Sequence, residues 1–228
     1  MISIVIPTLN AEAGFAACLD ALIPATVDGL VREVIVVDGG SADGTCAIAD
    51  GFGARVLSAP PGRGGQLRAG AEAARGDWLM FLHADTVLEA RWADDAAMHI
   101  RKNTERAAVF TLAFDVPYWQ ATLISATAML RTRMFRLPYG DQGLLISRAM
   151  YDAVGGFSPM PLFEDVDIIR RMTRAFGRNA FRVLEAKATT SAERYERLGY
   201  MRCVVRNNLL LARYLTGAPP EDLARVYR

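Results

Sequence analysis

Residues 78–86 read WLMFLHADT, five apolar residues followed by a histidine, an alanine, an aspartate and a threonine. An apolar run this short, entered through Gly76-Asp77, predicts a strand buried on both faces, as strands of parallel sheets are. Its polar end then falls where open α/β sheets place their ligands. Strand-helix alternation continues on the N-terminal side. Ile2 to Ile6 predicts a first strand, Glu12 to Leu22 a helix, Val34 to Val37 a strand and Ser41 to Phe52 a helix capped by Ser41. Arg55 to Ser58 predicts a third strand and Gln66 to Arg75 a small-residue helix before the fourth strand at Trp78. Such alternation implies right-handed βαβ units, so the polar residues at the strand ends share one edge.

The C-terminal side is less regular. Helices are predicted at Ala93 to Lys102, Ala121 to Phe135, Val166 to Phe176 and Tyr200 to Leu215, and strands at Val109 to Phe114, Gly143 to Ser147 and Phe181 to Ala188. Between them Gly155-Gly156-Phe157-Ser158-Pro159-Met160-Pro161 is a turn-rich loop of the kind that carries function.

The chain has 228 residues, 52% of them hydrophobic, enough to bury one sizeable α/β core. With 26 basic and 25 acidic residues and a net charge of +1, nothing draws it globally to nucleic acid. Lys102 and Lys187 are its only lysines and neither lies in a glycine-rich loop, so arginine must do any phosphate work. Cys18, Cys46 and Cys203 lack CxxC spacing and suggest buried thiols in a reducing, cytoplasmic setting. The segment Tyr118 to Arg136, with Trp119 early and Arg131, Arg133 and Arg136 late, fits packing against the sheet better than a peripheral membrane contact, which it could also make.

The predicted edge collects Thr8 and Asn10 after strand one, Asp38 after strand two, Arg63 in PPGRGG after strand three, and His83 with Asp85 after strand four. Each alone has a plainer reading as turn chemistry. Together they assemble hydroxyl, amide, carboxylate and guanidinium groups suited to a base, a ribose and a diphosphate. Asp85 at the mouth of a buried strand suits Mg²⁺ or Mn²⁺ held by one or two carboxylates plus substrate phosphates. His83 is either a second ligand or a hydrogen-bonded strand end. Asp141 and Gln142, in GDQG before a strand, line a sugar or acceptor pocket or form a polar turn.

IVIPTLNAE, VIVVDGGSADGT, GRGGQLRAGAEAARGD, FLHADT and PLFEDVDIIRR, in that order, resemble the motifs of family 2 glycosyltransferases of GT-A fold. HADT in place of DxD resembles the arsenosugar-biosynthesis or radical-SAM/selenodomain-associated subgroup. The resemblance implies a Rossmann-like, mostly parallel sheet with helices on both faces and a short acceptor-side C-terminal region. Residues 1–105 would bind the nucleotide, 106–190 the acceptor, and 191–228 would form a helical segment. It further implies that Thr8 and Asp38 contact the nucleoside, that Arg63 sits near base or phosphate, and that Asp85 is the last acidic member of the metal motif. Glu164-Asp165 matches the acidic pair that supplies the catalytic base, Asp165 ahead of Glu164, although acids in a first helical turn also complement the dipole. Ser191-Ala192-Glu193-Arg194-Tyr195 resembles a degraded QxxRW motif, which would place Arg194 on the donor, unless it is simply an exposed arginine at a helix start, the plainer reading. The implied activity is inverting transfer of one sugar from a nucleotide sugar, a UDP-sugar favoured, to a hydroxyl of a small-molecule or lipid acceptor. The chain departs from the family at Gly39 and His83, where aspartates are common.

Rivals fit less well. Gly39-Gly40-Ser41-Ala42-Asp43 fails the G-x-S-x-G hydrolase elbow, and Pro7-Thr8-Leu9-Asn10 stands where a dinucleotide fold needs glycines. A non-catalytic nucleotide-sugar binder of the same fold is the remaining alternative.

Overall fold

The computed structural model describes residues 1–102 and 105–227. The strands are β1 (Ile2–Thr8), β2 (Val31–Asp38), β3 (Arg55–Ser58), β4 (Trp78–Phe81), β5 (Thr86–Leu88), β6 (Ala107–Phe114), β7 (Leu144–Ser147) and β8 (Phe181–Thr190). The helices are α1 (Glu12–Asp20), α2 (Ile23–Val27), α3 (Thr45–Gly51), α4 (Arg63–Ala73), α5 (Trp92–Lys102), α6 (Trp119–Phe135), α7 (Arg148–Ala153), α8 (Glu164–Phe176), α9 (Glu193–Leu198), α10 (Tyr200–Leu215) and α11 (Pro220–Tyr227). Among the described residues the strands form one sheet in the order β3-β2-β1-β4-β7-β6-β8-β5.

The expected α/β architecture, mostly parallel with helices on both faces, is present. β1 pairs in parallel with β2 and β4, and β2 with β3. β7 runs against both β4 and β6, and β5 against β8, while β6 and β8 are parallel. The two reversed strands shape the site. The carboxyl ends of β1, β2, β4, β6 and β8 share one edge, and the reversal brings the entry of β7 to that same edge. The turn carrying Asp141 therefore arrives beside His83 and Asp85.

Every residue of β1 is buried, because Ile2, Ile4 and Ile6 join a core with Phe15 and Trp92 on one face while Val5 joins Leu67 and Ile168 on the other. α4 lies close on this second face because Gly70 has no side chain. A Cβ there would stand 2.3 Å from Val5 Cγ1 and 2.9 Å from Val37 Cγ2. Gly70→Ala is expected to push the helix off two β-branched side chains and cost about 1–3 kcal/mol, read as a lower urea midpoint.

Some boundaries differ from expectation. The helix expected from Ser41 begins at Thr45, and Ser41 is not its cap: its hydroxyl serves the β2 turn described below. α1 breaks at Ala13 and Gly14, where Gly14 has φ 85°. α6 packs Ala128 and Met129 on Leu112, so one face takes the sheet-packed alternative. No helix of the described residues is long and apolar enough to cross a membrane.

Candidate active site

Thr8 and Asp38 are register partners at the ends of β1 and β2, and both are buried. Thr8 Oγ1 donates to Asp38 Oδ1 at 3.0 Å, and the Ser41 hydroxyl donates to the same oxygen at 2.5 Å. Asp38 Oδ2 accepts the amides of Gly40 and Ser41 at 2.9 and 2.8 Å. Burial pushes the Asp38 carboxyl up, but these bonds outweigh it and hold the group below the ordinary carboxylate range. Asp38 is thus an ionised anchor of the loop. Asn10 braces that loop from the other side, at φ 50°, with its Oδ1 accepting the Ala42 amide at 2.9 Å and its own amide donating to Ser41 Oγ at 2.8 Å. Gln66, which the sequence did not single out, donates from Nε2 to Thr8 O at 2.8 Å and Val37 O at 2.7 Å, tying α4 to both strand ends.

A cleft of about 590 Å³ runs along this edge and is lined by Thr8, Asn10, Arg63, His83, Asp85 and Arg194 among others. A second chamber of about 200 Å³ continues from it past Asp141 and Asp165. Arg63, His83, Asp85 and Arg194 border both, so these four of the residues expected to hold donor and metal are gathered in one place, whereas Asp38, 5% exposed and with both oxygens bonded within its own loop, lines neither. Arg63 Nη1 lies 3.4 Å from Glu164 Oε1 and 3.5 Å from His83 Nε2. Burial, then the Arg63 charge, lower His83 to about 3, so the imidazole is neutral.

The two acids of α8 separate by environment. Phe163, at φ 65°, enters the helix in a left-handed turn. Glu164 then points inward and is 2% exposed, while Asp165 faces the chamber. Asp165 Oδ2 accepts the Gly140 amide at 2.6 Å and Oδ1 accepts the Val166 amide at 2.7 Å, which fixes the carboxylate plane. Burial raises Glu164 to about 7, outweighing the pull of the Arg63 guanidinium, and the neighbouring Asp165 charge adds to the rise. The folded pKa thus exceeds the ordinary 4.5, and Glu164 contributes stability that is full below that value and lost as pH rises through about 7. Glu164→Gln, neutral at every pH, is expected to exceed the parent in stability above this window by up to about 3 kcal/mol. Below the window the advantage should vanish, as denaturant midpoints at acid and alkaline pH will show.

The packing that positions these acids is tight. Arg171 donates to Gly156 O at 2.6 Å, to Asp167 Oδ2 at 2.7 Å and to Val154 O, holding the glycine loop before α8. Gly64, at the start of α4, touches the other end of that loop: a Cβ there would lie 2.3 Å from Ser158 O and 2.8 Å from Met160 O.

One expected donor contact is corrected, and a second is engaged by the protein itself. Gln142 is fully buried and donates from Nε2 to Thr132 Oγ1 at 2.9 Å, bracing the turn against α6, so it does not face the cleft. Arg194 borders the cleft, but its guanidinium stacks 3.8 Å over the Tyr227 ring and donates to Tyr227 O at 2.9 Å. Asp141 does reach the chamber, with burial raising its carboxyl to about 6 against the pull of Arg131. The expectation of buried thiols holds for Cys18, pushed up to about 12 by burial and then Asp85, and for Cys203, whereas Cys46 is half-buried.

A divalent ion would have to be held in part by substrate, since among the described residues no three His, Cys, Asp or Glu side chains cluster as a ligand set. Asp85 fits that role. Thr86 Oγ1 is 3.5 Å from its Oδ1, too long to satisfy it, which leaves carboxylate lone pairs facing the cleft. His83 fits less well as a ligand, because its Nε2 faces the Arg63 guanidinium.

The sequence profile described as glycosyl transferase family 2 matches residues 3–160. Glucosyl-3-phosphoglycerate synthase of Mycobacterium tuberculosis is 40% identical over 95 residues, which are 38% of this chain and 29% of that relative. A PGL/p-HBAD biosynthesis glycosyltransferase of Mycobacterium bovis is 40% identical over 95 residues, 39% of this chain and 36% of the relative. The chain thus spans about a third of the length of these curated relatives. In structure it is similar to the M. tuberculosis synthase in complex with phosphoglyceric acid, at a TM-score of 0.68 and 22% identity over 92% of this chain and 78% of that one. The same synthase in complex with Mn²⁺, UDP and glucosyl-3-phosphoglycerate aligns at a TM-score of 0.64 and 23% identity, over 84% of this chain and 70% of that one. At these identities the likeness shows the GT-A fold. With a profile match over more than half its length, on the strands that build the cleft, this chain belongs to glycosyl transferase family 2.

Proposed function

We propose that the chain transfers one sugar from a nucleotide donor to an acceptor hydroxyl with inversion at the anomeric carbon. The observation that carries this is the convergence of Arg63, Asp85 and Asp165 on one cleft at the carboxyl edge of the sheet. Thr8 and the Asp38 loop form the nucleoside end, with Asn10 bracing it. The start of α4, where Gly62 leaves the backbone bare, and Arg63 present positive charge to the diphosphate. Asp165, oriented by the Gly140 amide, takes the proton of the acceptor hydroxyl as its oxygen bonds to the anomeric carbon and the bond to the diphosphate breaks. Mn²⁺ or Mg²⁺ beside Asp85 would neutralise the departing diphosphate.

A UDP-sugar is the favoured donor, because the mycobacterial synthase has been crystallised with Mn²⁺, UDP-glucose and phosphoglyceric acid. We assign donor binding to residues 1–105, acceptor binding to 106–190 and closure of the cleft to 191–228, and place the chain in the cytoplasm on its unpaired cysteines. HADT keeps the arsenosugar or selenodomain subgroup as a proposal about pathway only.

A thermal-shift panel of UDP, GDP and their sugars with and without Mn²⁺ tests the reading. A rise in midpoint with UDP that needs Mn²⁺ is expected, followed by slow release of UDP from a UDP-sugar. Binding without release or transfer on any acceptor would make the chain a non-catalytic binder of the same fold.

A further inference from the structure

The chamber beside Asp165 has a second exit. A groove of about 440 Å³ between α6 and α10 shares Tyr139, Asp141, Tyr195 and Asn207 with the chamber, so the two are continuous. Its inner end is polar and unsatisfied: Tyr139 Oη, Asp141 Oδ1 and Asn207 Oδ1 are buried without a hydrogen-bond partner. Each such atom costs about 1–3 kcal/mol unless something polar meets it. Its outer walls are Ile124, Phe135, Leu137, Val204, Leu211 and Leu215. The groove is therefore wettable at the chemistry and oily at the mouth, which suits an amphiphile entering head first.

The mouth opens among exposed apolar side chains. Trp119 is 70% exposed, and Leu123, Leu130, Met134 and Phe135 follow it along α6; Met201, at 74%, leads Val205 and Leu209 on α10. Apolar surface this extensive on two adjoining helices has something to cover it. The charge pattern says what. Residues 116–140 and 197–220 hold seven arginines and no aspartate or glutamate, in a chain whose net charge is +1. Arg131, Arg136 and Arg206 turn inward onto Tyr139, Phe181 and Tyr227, but Arg133, Arg197, Arg202 and Arg213 are exposed, and exposed apolar side chains with acid-free arginine beside them match an anionic lipid surface, where both kinds of contact add.

We propose that α6 and α10 seat the protein on anionic membrane and that the groove between them admits a lipid acceptor, its hydroxyl head at Asp141 and Asp165 and its chain against Leu211 and Leu215. This rests on the reading of the cleft as a sugar-transfer site, and the experiment separates the two. The protein is sedimented with phosphatidylcholine vesicles and with vesicles containing one quarter phosphatidylglycerol, and titrated with butylglycerol and dodecylglycerol below their aggregation limits. The expected result is binding to the anionic vesicles only, weakened about tenfold or more in a Trp119→Glu, Met201→Glu double variant. Dodecylglycerol should bind about tenfold or more tighter than butylglycerol, a preference that Thr127→Trp, which plugs the groove, removes. All variants should keep the UDP and Mn²⁺ thermal shift, which reports the donor site independently. Equal binding to both vesicle types, no chain-length preference, or a dimer dissolved by the double variant would overturn the proposal even with that shift intact.

Discussion

Replacing Asp165 by asparagine will lower the turnover of sugar transfer by about 10²-fold or more while leaving donor affinity unchanged. The amide keeps the size of the carboxylate and can still accept the Gly140 amide, so the turn before β7 should stay in place. What it loses is the capacity to take a proton. Of the two acids that open α8, Asp165 is the one bordering the chamber, whereas Glu164 is sequestered and titrates near neutrality. The measurement is kcat beside the dissociation constant for UDP with Mn²⁺. Unchanged turnover would remove the base assignment, and loss of both constants would make Asp165 a structural residue.

Asp85→Ala is expected to abolish the Mn²⁺-dependent part of UDP binding and, with it, detectable transfer. Among the described residues no three His, Cys, Asp or Glu side chains cluster, so no ready-made ligand set stands in for Asp85. A partial loss would be the signature of His83 sharing the ligand role. Because β4 ends before Asp85 and the side chain is on the open side of the cleft, the substitution should leave the denaturant midpoint unchanged. An intact midpoint with unaltered Mn²⁺ dependence would move the ion elsewhere.

The N-terminal half was largely legible because local signals govern it: β1 and β4 are apolar along their length, and α3 and α4 each follow a glycine-bearing turn. Arg55–Ser58 and Tyr200–Leu215 have their expected bounds. The reversal of β7 was not legible, since LLIS looks alike in either direction and its orientation is fixed by pairing with Met80 and Ala108, far away in sequence. Within the expected helical segment 191–228 the bounds of α9 and α11 were not legible, because both are short and owe their place to partners such as Tyr227 for Arg194. Ser41 was misread for a related reason. Its hydroxyl had two possible employers, a helix and the Asp38 loop, and only the fold decides between them. The rim residues themselves were found, as strand ends are local. Their division of labour was not, because neighbouring helical residues such as Glu164 and Asp165 point about 100° apart and sequence does not say which one looks inward.

The bare α-carbon at Gly64 welds the arginine-bearing turn to the loop that introduces Glu164 and Asp165. Under the proposed roles of Arg63 and Asp165, donor grip and proton acceptance are one mechanical object: thermal motion that loosens the first must jostle the second. A compound wedged into that seam would then silence the proposed transfer without competing for nucleotide, and rising substrate would not rescue it.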